Sequence, residues 1–191
     1  MSHNIKNNMV VANFFKEEKD MTNFELKPWK TEYAESMRMA ADNPKVAANL
    51  RNVFPNPYSI EDANFYINMM IEAGEEKQLA RAIVIDGKAV GSVGVFVQGD
   101  VYEKSAELGY WLSEDYWRQG IMSCAVKQIC KEAFEKFDIV RIYAEPYASN
   151  KGSRGVLEKV GFTYEGTMRN GVYKHGKLDS YCMYSLLKEE I

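Results

Sequence analysis

The sequence predicts an α/β (α+β) domain built on a mixed, twisted sheet with helices on both faces. Three observations carry that prediction. The β-rich runs "LARAIVI" and "AVGSVGVFV" flank "DGK", a hairpin with Asp86 and Gly87 at the bend, which imposes antiparallel pairing. "AELGYWL", an amphipathic helix and "IVRIYAE" then follow in order, a strand-helix-strand unit whose strands must run parallel. A closing pair, "FTYEG" and "LDSYCMYSLL", returns to antiparallel pairing.

Taken in order, "TNFELKPWK" reads as a first strand stopped by Pro28, followed by a helical stretch over Glu32 to Ala41. Prolines 44, 55 and 57 break "NPKVAANLRNVFPNPYS" into short helix and loop. Ser59 and Asp62 form an N-cap and capping-box pair, after which Ala63, Tyr66, Ile67, Met70 and Ile71 recur at helical spacing. The helix after "YWRQGIM" is the best patterned, with Val126, Ile129, Cys130, Ala133, Phe134 and Phe137 on one face and charged residues on the other. "ASNKGSRGVLEKVGF" reads as a helix opened near Asn150 and stopped by Gly161. The first twenty residues are polar and poorly periodic, which predicts a flexible leader over 1–20 and one domain over 21–191.

Composition narrows the function. A net charge of -3 gives no general attraction to nucleic acid or anionic lipid, and no apolar run approaches the ~18 residues of a membrane span. Neither partner is expected. Three cysteines, Cys124, Cys130 and Cys182, without CxxC spacing fit reduced thiols of a cytoplasmic protein. With His3 and His175 as the only histidines, no metal site and no Ser-His-Asp arrangement is expected.

The turn between "AELGYWL" and the well-patterned helix is the chemically suggestive stretch. A helix N-terminus offers unpaired N–H groups and the positive end of its dipole, a natural seat for phosphate. Gly120 permits close backbone approach, and Arg118 adds a cation. Read alone, the turn is equally an ordinary strand-to-helix connection, since such turns commonly need a glycine.

The ordered set "WRQGIM", "IVRIYAE", Asn150 followed by a helix, and "KVGF" resembles the GNAT N-acetyltransferase family across about residues 22–188. Within it, "GYWL", the loop tryptophan, Asn150 to Ser153 and Asp179 in the penultimate strand resemble the RimJ/RimL type, which acetylates N-terminal amines of ribosomal proteins. The resemblance implies a mostly antiparallel sheet of six to seven strands and acetyl-CoA as cosubstrate. It also implies that Arg118, Gln119, Gly120, Ile121, Met122 and Ser123 hold the pyrophosphate, while Tyr110, Trp111 and Leu112 pair with the pantetheine arm and Asn150 bonds it. A backbone N–H near Leu112 would stabilise the oxyanion.

For proton transfer, the expected base is Glu107 and the expected acid Ser153, with Tyr143, Tyr147 and Tyr164 as other candidate hydroxyls. Leu157 stands where many relatives carry a donor tyrosine, Cys124 where the subgroup commonly carries glutamate, and Trp117 and Met122 replace consensus loop residues. The acceptor site is expected from residues 43–70 and the turn "RNGVYKHGK", lined by Trp29, Arg51, Asn52, Phe54, Tyr58 and Tyr173. The acceptor amine is a protein N-terminus or a small molecule, and a non-catalytic acyl-CoA-binding module is the rival from another class. Exposed strand edges leave a homodimer open.

Overall fold

The structure, a computed structural model, describes residues 23–191. The leader expected over 1–20 lies outside the described residues. Strands β1 (Glu25–Pro28), β2 (Gln78–Ile85), β3 (Lys88–Val97), β4 (Ser105–Leu112), β5 (Arg141–Ala144), β6 (Thr163–Lys174) and β7 (Lys177–Leu187) form one seven-stranded sheet in the order β1-β2-β3-β4-β5-β7-β6. All neighbours are antiparallel except β4 and β5, which run parallel as the intervening helix requires.

Among the described residues, five α-helices cover the sheet: α1 (Ala34–Ala41), α2 (Pro44–Ala47), α3 (Ile60–Ala73), α4 (Ile121–Lys136) and α5 (Lys151–Val160). The pleat of β2 assigns the faces. Leu79, Ile83 and Ile85 point into a core with α4 and α5, while Ala80, Ala82 and Val84 point into a second core with α1 and α3. Small residues on the second face let α1 and α3 lie close to the strands. Arg81 breaks the apolar pattern on the α4 face. Its guanidinium reaches Glu75 at 2.5 Å and Glu132 at 2.8 Å, and Lys136 closes the network on Glu75, so the buried charge is compensated.

Local chemistry sets the boundaries. Ser59 accepts from the Asp62 N–H at 3.1 Å and Asp62 accepts from the Ser59 N–H at 2.8 Å, the reciprocal capping box. Asp86 and Gly87 both take positive φ, 49° and 75°, as a two-residue hairpin turn demands. Asn150 caps α5 through its side-chain oxygen, and Gly161 ends that helix in the left-handed region at φ 110°.

Four expectations shift. Ile71 is 49% exposed, because it sits about 80° round α3 from Ala63, at the margin of the apolar stripe. Phe137 is the extended cap residue after α4 and packs on the core from outside the helix. Most of "RNGVYKHGK" is strand: β6 continues to Lys174, absorbing Asn170 and Gly171 in an irregularity between Met168 and Val172, and only His175 and Gly176 turn. Asp179 accordingly lies in the last strand, β7, rather than the penultimate one. Among the described residues no helix is long and apolar enough to cross a membrane.

Candidate active site

β4 and β5 pair only at Ser105–Glu107 against Arg141–Tyr143. β5 pairs with β7 from Arg141 to Ala144, and past Ala144 the chain stays with β7 and leaves β4: Cys182 N–H donates to the Pro146 carbonyl at 2.9 Å and Ala148 N–H to the Ser180 carbonyl at 2.8 Å. β4 is therefore left with a free edge from Leu108 onward. The ladder to β3 fixes which groups face it. Ser113 N–H donates to the Val90 carbonyl and Gln98 N–H to the Ser105 carbonyl, so odd-numbered β4 residues bond toward β3. The N–H groups of Tyr110 and Leu112 consequently point into the gap. A cleft of about 980 Å³ occupies it, lined on one side by the start of α4 and α5 and on the other by the loop after α2.

At the end of β4 lies the turn singled out in the sequence. Arg118 and Gly120 take positive φ, 62° and 78°, folding the chain back so that Gly120 starts α4. α4 has neither a side-chain cap nor an acidic residue in its first turn, so its leading N–H groups face the cleft with the dipole uncompensated. Ile121 and Met122 bury their side chains and are available only through their backbone; Ser123 also lines the cleft. Trp117 donates from Nε1 to the Leu112 carbonyl at 2.8 Å, clamping the turn to β4. Nearby, Lys45 and Asn43 engage the Glu114 carboxylate, which holds it below the usual carboxylate range. Gln119 is the exception among the expected loop residues: its side chain donates to the Asp115 carbonyl at 2.9 Å and does not line the cleft.

The two faces of β4 divide the remaining residues. On the α4 and α5 face, the Tyr110 hydroxyl lies 2.7 Å from the Ser153 hydroxyl, and Asn150 Oδ1 accepts from the Ser153 N–H at 3.0 Å. Burial pushes the Tyr110 phenol well above its ordinary range, so it stays neutral. The Asn150 oxygen is committed to capping, and the residue lines the cleft. Leu157 is fully buried in the core and exchanges no proton.

On the opposite face stand Glu107 and Trp111, whose backbone turns toward β3. Arg51, from the loop after α2, contacts the Glu107 carboxylate and reaches Glu145 at 3.3 Å. Burial and the Glu107 charge push the Glu145 carboxyl up, against the pull of Arg51. Phe54 packs against Tyr58 with ring centroids 4.8 Å apart in a tilted arrangement and edges Trp111 at 5.9 Å, forming an apolar wall. Tyr147 donates to the Leu50 carbonyl at 3.1 Å, and Lys174 donates to the carbonyls of Ala47 and Leu50, tying the loop to β6.

The structure lines one cleft with Glu107, Ser153 and the expected cofactor-binding residues, the Gln119 side chain excepted. Of the expected acceptor-lining residues it brings in Arg51, Phe54 and Tyr58. Trp29 is core, whereas Asn52 and the 69% exposed Tyr173 lie off the cleft. Tyr143 and Tyr164 do not line it either, and the Tyr147 hydroxyl is occupied by Leu50. Glu145 lines the cleft without having been foreseen, Tyr147 was expected only as a candidate hydroxyl, and Lys174, within the expected segment "RNGVYKHGK", acts through the loop carbonyls and does not line the cleft. The one signal available was Glu145 standing directly before the strand-ending Pro146.

Residues 23–163 match the family model described as acetyltransferase (GNAT) domain. The chain is 33% identical over 108 residues to YdaF of Bacillus subtilis (strain 168), named as a candidate ribosomal N-acetyltransferase, covering 56% of this chain and 58% of that protein. It is 30% identical to the uncharacterized N-acetyltransferase p20 of Bacillus licheniformis, covering 69% of this chain and 75% of p20. The chain spans little more than half the length of YdaF and of YoaA, an uncharacterized N-acetyltransferase of Bacillus subtilis (strain 168), two of the curated relatives it matches. Among solved structures it is similar to the microcin C7 self-immunity acetyltransferase MccE in complex with acetyl-CoA and AMP, with a TM-score of 0.74 at 25% identity over 86% of this chain and 92% of that one. The fold is also that of RimL, the ribosomal L7/L12 α-N-protein acetyltransferase in complex with coenzyme A, with a TM-score of 0.78 at 20% identity over 90% of this chain and 98% of that one.

Proposed function

Because the chain belongs to the GNAT acetyltransferase family, we propose that it transfers acetyl from acetyl-CoA to a primary amine, most readily a protein N-terminal amine, by direct attack in a ternary complex. The observation that carries this reading is the free interior edge of β4 leading straight to the uncapped N-terminus of α4. An amide-bearing arm suits the first and a pyrophosphate the second, which is the chemistry of acetyl-CoA. MccE holds acetyl-CoA, and RimL holds coenzyme A.

When bound, acetyl-CoA supplies an activated thioester; this chain's residues supply the rest. The Leu112 N–H offers hydrogen-bonding stabilisation to a developing oxyanion. Glu107 accepts a proton from the attacking amine, directly or through water, and Ser153 gives one to the departing sulfur. Odd and even residues of β4 point to opposite faces, so base and acid approach the gap from its two sides. A neutral fraction of an α-amine with pKa near ~8 already exists at neutral pH, so a modest base suffices.

A protein N-terminal acceptor is favoured by the relatives: one curated protein matching this chain, from Escherichia coli (strain K12), is named ribosomal-protein-serine acetyltransferase. Small amines are the competing acceptor class. Thiol release from acetyl-CoA with peptides carrying free Ser, Ala or Met N-termini, and with polyamines, amino acids and aminoglycosides, tests the reading. Turnover with a peptide supports it, turnover with small amines alone replaces the acceptor class, and tight CoA binding without turnover favours a non-catalytic module.

A further inference from the structure

Among the described residues Arg51 is the one cation joining the two carboxylates on the acceptor side of the cleft, Glu107 on β4 and Glu145 after β5. Its side chain is 64% exposed, whereas the carboxylates it joins are 24% and 28% exposed. The guanidinium therefore reaches inward from solvent to two acids held by the sheet. Without a cation between them, the acids repel: burial and the Glu107 charge both raise the Glu145 carboxyl, and Arg51 opposes the rise. The Arg51 loop does not depend on this contact for its place. Lys174 and Tyr147 hold the carbonyls of Ala47 and Leu50, and Phe54 N–H donates to the Arg51 carbonyl at 2.9 Å.

We propose that Arg51 is a displaceable stand-in for the acceptor's ammonium group, so that an incoming amine must exchange with it between Glu107 and Glu145, and that Glu145 is an acceptor-binding residue. This rests on the acetyl-transfer reading of the same cleft. Exposed ion pairs are weak, so Arg51 can leave without disturbing the fold. The exchange selects for acceptors that carry a positive charge at the reacting end and are slim enough to pass the wall of Phe54, Tyr58 and Trp111. It also keeps the paired carboxylates compensated while no acceptor is present. An anionic or uncharged ligand gains nothing from moving Arg51.

The test is calorimetric titration of the full chain, with coenzyme A bound, using a peptide with a free N-terminal serine and the same peptide with its N-terminus acetylated. Arg51→Gln should bind the free peptide about two- to fivefold tighter than wild type, the size expected for removing a competing exposed ion pair. The blocked peptide should be unaffected, and Arg51→Lys should restore wild-type affinity. Added guanidinium ion should compete with the free peptide in Arg51→Gln and not in wild type. Weaker binding of the free peptide by Arg51→Gln, or no difference between the two peptides, would overturn the proposal. Absence of CoA release with any amine in wild type would instead sink the acetyl-transfer reading, which the two-peptide comparison does not use.

Discussion

The hydroxyl of Tyr110 lies 2.7 Å from the hydroxyl of Ser153, joining β4 to the first turn of α5 across the gap between β4 and β5. The same phenol is 3.2 Å from the Ser153 carbonyl, so two contacts orient this serine.

If Ser153 protonates the departing sulfur, Ser153→Ala should lower kcat by about 100-fold. Tyr110→Phe should cause a smaller fall, and the double variant should be no slower than Ser153→Ala, because Tyr110 acts through Ser153. Steady-state thiol release gives all three values. Additive losses would mean that the two residues act separately.

Gly120→Val should weaken coenzyme A binding by about tenfold or more, since φ 78° disfavours a β-branched residue by roughly 1–2 kcal/mol and moves the N–H groups that follow. Gly120→Ala should fall between. Affinity is read by calorimetry and the fold by circular dichroism, which should keep its helical signal. Undiminished affinity in Gly120→Val would remove the turn from the cofactor site.

Glu107→Gln should slow turnover most at low pH. There the amine is largely protonated and a base is needed; as pH rises through the amine's own pKa, the need fades and the variant approaches wild type. Profiles of kcat/KM from about pH 6 to 9 decide it. A constant ratio across pH would exclude Glu107 as base.

Glu75 makes a stability prediction away from the site. Hydrogen bonds first from Lys136 and then from Arg81 hold its carboxyl below the ordinary range. A depressed folded-state value means that its contribution is present above the unfolded pKa, near ~4.3, and is lost as pH falls through the folded value. Denaturant unfolding of wild type and Glu75→Gln should therefore differ at neutral pH and converge in acid. A gap that persists below both values would assign the effect to packing.

Legibility in the sequence followed the range of the interaction. The capping box at Ser59 and Asp62, the hairpin turn at Asp86 and Gly87 and the Asn150 cap were readable because each joins residues at most three positions apart. The parallel β4-α4-β5 unit was readable because chain order alone demands it. Arg51 against Glu107 was not, since 56 residues separate them and nothing local links an exposed loop arginine to a strand carboxylate. The Lys174 contacts with the loop after α2 were hidden for the same reason, and further by Asn170 and Gly171, which look like a turn but occupy an irregular strand. Leu157 was legible only as a missing tyrosine; its burial explains why an apolar residue stands there.

The early parting of β4 from β5 gives this molecule a sheet edge in its middle, where ordinary sheets have none. On the proposed reading, recognition along such an edge is made of main-chain amides, which every non-proline residue possesses, so a donor half built on it would tolerate wide change in side chains. The facing half, built from Arg51, Phe54, Tyr58 and Glu145 on loops, is written entirely in side chains. If that edge holds the acyl carrier as proposed, drift in sequence would exchange one acceptor for another while the handle for the carrier stays as it is.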